Sequence, residues 1–145
     1  MLGGCLCGAV RYRYEGPLGE ALGAVTLCHC RQCRQAQGYA AAVAPALASG
    51  FSIISGADQV REFESSPGKR RAFCGTCSSP LYSRRDSRPE VLRLRLGGLD
   101  DPPPALRIEA HIHTADLPAW AQPDSAPRYP GEEPGRTLAP DAGPV

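Results

Sequence analysis

Short alternating runs separated by Gly, Pro and Ser set the character of this chain, and a period of two predicts strands. Residues 9–14 place Val10, Tyr12 and Tyr14 on one face, with Arg11 and Arg13 on the other. Thr26–Cys28 is a short apolar strand, and the polar run Arg31–Gln37 predicts one or two helical turns ended by Gly38. Residues 39–45 are apolar enough for a buried strand, and Phe51–Ser55 predicts another, ended by Gly56. Residues 60–64 and 69–73 flank Ser65-Ser66-Pro67-Gly68, a strong turn signal, so they predict a hairpin.

Residues 81–84 and 91–96 follow as strands. In the second, Val91, Arg93 and Arg95 alternate with Leu92, Leu94 and Leu96, which makes one face apolar. Residues 106–112 predict a last strand and residues 116–120 a short helix. After Trp120 the periodicity stops and six prolines arrive among Gly, Glu and Asp. The expectation is a single, mainly β domain over residues 1–120. A Pro/Gly-rich tail over residues 121–145 follows, of which about the last 20 residues pack poorly.

Composition changes this picture in one respect. Aromatic residues make up only 6% of the 145, so the core must come from Ala, Val, Leu and Ile, and a metal staple would help a domain this small. Charge excludes more than it suggests. The net charge of +1 argues against a module held to nucleic acid by phosphate contacts. A local patch (Lys69, Arg70, Arg71, Arg84, Arg85, Arg88) reads as a solvated face. No charged n-region or long apolar run marks a signal peptide or a membrane span. The expectation is a cytoplasmic protein whose thiols stay reduced.

Those thiols are the candidate chemistry. Seven cysteines fall in three clusters: Cys5 and Cys7; Cys28, Cys30 and Cys33; Cys74 and Cys77. An odd number cannot pair fully into disulfides, and thiolates one or two residues apart can converge on one metal ion. Cys28-His29-Cys30-Arg31-Gln32-Cys33 brings three thiolates together within six residues, one short of a tetrahedron. Zinc suits such soft ligands, whereas iron–sulfur runs use four cysteines and wider gaps. Cys5, Cys7, Cys74 and Cys77 would then make a closed structural site, although counting leaves other groupings open.

His29, between two proposed ligands on an extended segment, should point away from the metal. His111 and His113 share one strand face, and with no carboxylate or cysteine adjacent they read as half-exposed strand histidines.

The order Gly3-Gly4-Cys5-Leu6-Cys7-Gly8-Ala9-Val10-Arg11-Tyr12, then Cys28 to Arg34, then Phe73-Cys74-Gly75-Thr76-Cys77, resembles the glutathione-dependent formaldehyde-activating enzyme family, which also contains centromere protein V. The resemblance covers roughly residues 3–120 and includes the strand, glycine and hairpin of residues 51–66. It implies an Mss4-like, zinc-stabilised β-sheet fold. It also implies a structural zinc on Cys5, Cys7, Cys74 and Cys77 and an active-site zinc on Cys28, Cys30 and Cys33. The chain departs from the family where Ser78 and Ser79 stand in place of a usual Gly, so that loop is expected to differ locally.

The function implied is a carbon–sulfur lyase acting in the synthetic direction, joining a thiol such as glutathione to formaldehyde or another small aldehyde. Two zinc ions per chain are expected, with the three-cysteine one the more labile. The rival reading is a zinc-stabilised module that binds protein or nucleic acid without catalysis. A methionine sulfoxide reductase would need two CxxC pairs for zinc plus a separate catalytic cysteine, and outside the middle cluster this chain has one, Cys74-Gly75-Thr76-Cys77. The sequence leaves room for a homo-oligomer and singles out no general base.

Overall fold

The computed structural model describes residues 1–19 and 22–134. Ten strands and one α-helix follow in order: β1 (Leu2–Gly4), β2 (Arg11–Tyr14), β3 (Thr26–Cys28), α1 (Arg31–Gln37), β4 (Ala41–Leu47), β5 (Phe51–Ser55), β6 (Val60–Ser66), β7 (Lys69–Cys74), β8 (Pro80–Arg85), β9 (Arg88–Arg95) and β10 (Ala110–Ile112). Strand outweighs helix, 41% to 15%, as the short alternating runs predict. Among the described residues, no helix is long and apolar enough to cross a membrane.

The strands form two sheets. A small one runs β1-β2-β5, and a seven-stranded one runs β10-β3-β4-β9-β8-β7-β6. All pairings are antiparallel except β10 with β3. The hairpin at Pro67-Gly68 forms as predicted, with Gly68 at φ 70°. Pro45, which has no N–H to donate, is tolerated inside β4 because β3 has ended by then: Thr26 pairs with Val43.

The core fills the space between the sheets. Tyr12, Tyr14, Val10, Leu81, Leu94 and Ala46 are fully buried there together with Cys74. Phe51 links the sheets, its ring 5.1 Å from both Tyr12 and Tyr82. Such tilted aromatic pairs stabilise by about 0.5–1.5 kcal/mol beyond the area they bury. Gly3 fits only as glycine, since a Cβ there would meet the Tyr12 ring and the Gly98 carbonyl.

Two predicted elements come out differently. The last strand is limited to Ala110–Ile112, because its partner β3 offers only three residues. The helix predicted over residues 116–120 is replaced by a single 3₁₀ turn at Thr114–Asp116 that ends before Leu117. Pro118 accounts for this, since it drives Leu117 into the extended conformation observed (φ −65°, ψ 121°).

The Pro/Gly-rich segment also departs from expectation where it is described. Residues 127–131 run along the outer edge of β10 as a strap. His111 N–H donates to the Pro127 carbonyl (2.8 Å), Tyr129 N–H to His111 (2.9 Å) and His113 N–H to Gly131 (2.7 Å). A short edge strand left uncovered would expose unpaired backbone groups, and the strap satisfies them. Residues 135–145 lie outside the described residues.

Candidate functional site

Two groups of sulfur atoms stand together: Cys5, Cys7, Cys74 and Cys77, and separately Cys28, Cys30 and Cys33. Within each group the sulfurs lie within 4.8 Å of one another. Tetrahedral zinc with bonds near 2.3 Å needs sulfurs about 3.8 Å apart. In the first group Cys5 and Cys7 are 3.5 Å apart and Cys7 and Cys74 are 3.9 Å apart, so the donor set fits zinc.

Two facing loops build the four-cysteine group. Gly8 (φ 76°) turns the chain after Cys7, and Val10 N–H reaches back to Cys5 Sγ at 3.2 Å. Opposite, Thr76 N–H donates to Cys74 Sγ at 3.4 Å, and Ser79 Oγ lies 3.2 Å from Cys77 Sγ. The Ser79 hydroxyl is the main reason that the Cys77 thiol is pushed down to about 5. Ser78 adopts φ 60°, the left-handed conformation that a glycine would take more readily. The loop expected to differ therefore keeps a glycine-like backbone.

The three-cysteine group is built by a strand end and a helix start. Cys28 closes β3, Cys30 caps α1, and Cys33 lies in its first turn with its N–H 3.4 Å from Cys30 Sγ. Cys28 and Cys33 are buried, with Ile112, Val43 and Tyr129 of the strap packed around them. Hydrogen bonds from the Cys28 and Cys30 thiols push the Cys33 thiol strongly down, and Arg95 and Arg71 reinforce them.

His29 turns away from these sulfurs, as the extended backbone predicts. Its Nε2 lies 2.9 Å from Nδ1 of His111, whose own Nε2 lies 2.9 Å from Asp124. Of the half-exposed strand histidines predicted at 111 and 113, the first is buried within β10, and the second keeps part of its surface in solvent but lies just past the strand, at φ 55°. His111 is only 1% exposed, and His113 bonds Glu132 at 3.1 Å. Both carboxylate partners come from the Pro-rich segment.

The sequence also misjudged the arginines. Register puts Lys69 opposite Arg85, Arg71 opposite Ser83, and Ser83 opposite Arg93. It continues with Arg93 opposite Pro45, Arg95 opposite Val43, Val43 opposite Thr26, and Ala41 opposite Cys28. Paired residues share a sheet face. The side chains of Lys69, Arg71, Arg85, Arg93 and Arg95 therefore share the face that carries Cys28. Arg93 and Arg95 are only 8% and 5% exposed.

Arg71 reaches the cysteines directly, with Nη1 3.6 Å from Cys33 Sγ and Nη2 3.1 Å from Gln32 Oε1. Burial among these arginines pushes Lys69 down to about 7. Arg70 and Arg84 point to the other face and pair with Glu62, Glu64 and Asp86. The patch read as solvated is thus split between the two faces.

The family profile described as glutathione-dependent formaldehyde-activating enzyme matches residues 1–116. The chain belongs to that family. A relative from Halomonas elongata, provisionally named a glutathione-dependent formaldehyde-activating enzyme, is 27% identical over 130 residues, spanning 85% of this chain and 80% of its own. A crystal structure of a Rhodobacter sphaeroides protein superposes with a TM-score of 0.59 at 28% identity, covering 72% of this chain and 92% of that one. The architecture is the Mss4-like, mainly β single domain that the family resemblance implies.

Proposed function

We propose that this family member is a zinc-dependent carbon–sulfur lyase-type enzyme. It condenses a thiol, glutathione in the first instance, with formaldehyde or a related small aldehyde. One observation carries the reading: Cys28, Cys30 and Cys33 converge with no further Cys, His, Asp or Glu in their group among the described residues. A closed structural zinc has four protein ligands, whereas a catalytic one has three and takes substrate as the fourth. Cys5, Cys7, Cys74 and Cys77 are the structural ligands. The active-site ligands are Cys28, Cys30 and Cys33. A cytoplasmic setting, where glutathione keeps thiols reduced, suits both sets.

When bound, the zinc would hold the substrate sulfur as a thiolate at low cost. Arg71 and Arg95 sit against Cys33 and offset the negative charge that three protein thiolates and a fourth would gather around one divalent ion. Ile112 and Tyr129 cover the sulfurs and limit water. The sulfur pair attacks the aldehyde carbon and a C–S bond forms. The carbonyl π pair moves to oxygen, which takes a proton equivalent to the one the thiol released. The product is the S-hydroxymethyl adduct.

The test is exchange NMR of glutathione with formaldehyde, using protein shown by metal analysis to hold two zinc per chain. Faster exchange than in buffer supports the enzyme. An unchanged rate with both zincs present favours the rival binding module.

A further inference from the structure

The cations beside the three cysteines exceed what the cysteines need. Three thiolates on a divalent zinc leave one negative charge, and Arg71 and Arg95 both already lie against Cys33. Lys69, Arg85 and Arg93 share the same sheet face. Against them stand Glu132, which acts on Arg85 and Arg93, and Glu133, which acts on Arg93.

Buried charges are normally paired, because desolvation without a partner is costly. Here Nη1 of Arg93 and Nε of Arg95 are buried with no hydrogen-bond partner among the described residues. Lys69, half-buried, lies near enough to Arg85, Arg95, Arg71 and Arg93 for their charges to oppose its own. Satisfied arginines would be explained by the thiolates alone; buried guanidinium nitrogens without acceptors point to a ligand that brings acceptors.

We propose that Lys69, Arg93 and Arg95 form an anion subsite beside Cys28, Cys30 and Cys33 that takes a carboxylate of the thiol substrate. The inference rests on the thiol reading above and narrows it to carboxylate-bearing thiols. A guanidinium matches a carboxylate in shape as well as charge, so the subsite selects as well as attracts. Glu132 and Glu133, which follow the strap, act on the Arg93 charge and bound the subsite on that side.

The experiment titrates the zinc-loaded chain by calorimetry with 3-mercaptopropionate and, separately, with its methyl ester. The free acid should bind about 10- to 100-fold more tightly, the span of one or two charge-assisted hydrogen bonds. Arg93→Met should remove most of that preference while the zinc content stays at two per chain. Acid and ester binding within about threefold of each other would overturn the subsite, and so would a preference that survives Arg93→Met.

The acid–ester comparison needs no substitution, and Lys69→Met provides a second variant if Arg93→Met does not fold. Succinate, which has no thiol, separates the two readings. Succinate binding that Arg93→Met abolishes, with no thiol binding, keeps the subsite and sinks the thiol reading. Acid and ester that bind alike and both react with formaldehyde keep the thiol reading and sink the subsite.

Discussion

His29 Nε2 lies 2.9 Å from His111 Nδ1, and this contact fixes which way the segment between Cys28 and Cys30 faces. With Asp124 accepting from His111 Nε2–H, His111 Nδ1 is left to accept from His29 Nε2–H. The His29 ring is thereby committed to the side away from the sulfurs, and burial pushes its pKa down, which favours the neutral ring. Replacing His29 by Gln should leave the zinc content unchanged. Replacing His111 by Ala leaves His29 Nε2–H buried without an acceptor and should cost about 2–3 kcal/mol in urea unfolding. Loss of a zinc in the His29 variant would contradict this orientation.

The two cysteine groups should fail differently. Cys74 lies in the main core and belongs to the group that ties β1 to β7. Structural zinc sites contribute on the order of 10 kcal/mol to folding, as much as the whole stability of a typical domain. Cys74→Ser should therefore abolish the cooperative unfolding transition seen by circular dichroism. Cys30→Ser should lose only one zinc and keep the transition, because a serine still caps α1 where Cys30 Sγ now accepts from Cys33 N–H. A Cys30→Ser chain without that transition would show that the three-cysteine zinc is structural too.

What the sequence revealed and what it hid divide along sequence separation. The hairpin at Pro67-Gly68, the helix ended by Gly38 and the alternation in β9 are local patterns, and all are present. The meaning of that alternation was hidden. Whether the Arg93 face meets water or protein depends on β4 and β3, which lie more than 40 residues earlier in the chain. The partners of His111 and His113 were hidden for a similar reason. Asp124 and Glu132 sit in a segment with no periodicity, held by backbone hydrogen bonds that composition does not encode. Within each cluster the cysteines were legible because thiols one or two residues apart converge almost regardless of the surrounding fold, whereas the meeting of Cys7 with Cys74 depends on it.

Ser78 offers a stabilising change. Its φ of 60° costs a residue with a Cβ about 1–2 kcal/mol, part of which glycine gives back through its freer unfolded chain. Ser78→Gly should raise stability by up to about 1 kcal/mol with no change in zinc content. Ser78→Val should lower it, since a β-branched residue fits this region worst. Both follow from urea midpoints, and a less stable glycine variant would mean that the Ser78 side chain makes a contribution of its own.

The contact between His113 and Glu132 should make the strap sensitive to pH. The Glu132 hydrogen bond raises the His113 pKa above its ordinary value, outweighing burial, with smaller help from Glu132, Cys33 and Asp116 charges. The folded state therefore holds this proton more tightly than the unfolded one. Its stabilising effect is complete below the unfolded pKa of about 6.5 and disappears as pH rises through the higher folded value. Both side chains keep about a quarter or more of their surface in solvent (25% and 30%), so the effect should stay under about 1 kcal/mol. Hydrogen exchange at the amides of His113 and Thr114, which donate to the strap carbonyls of Gly131 and Tyr129, reports the contact locally. Beyond the intrinsic rise of exchange with pH, protection at these amides should fall between about pH 6 and 8, and Glu132→Gln should flatten that fall. A variant with the same pH profile as the unaltered chain would show that Glu132 does not hold the His113 proton.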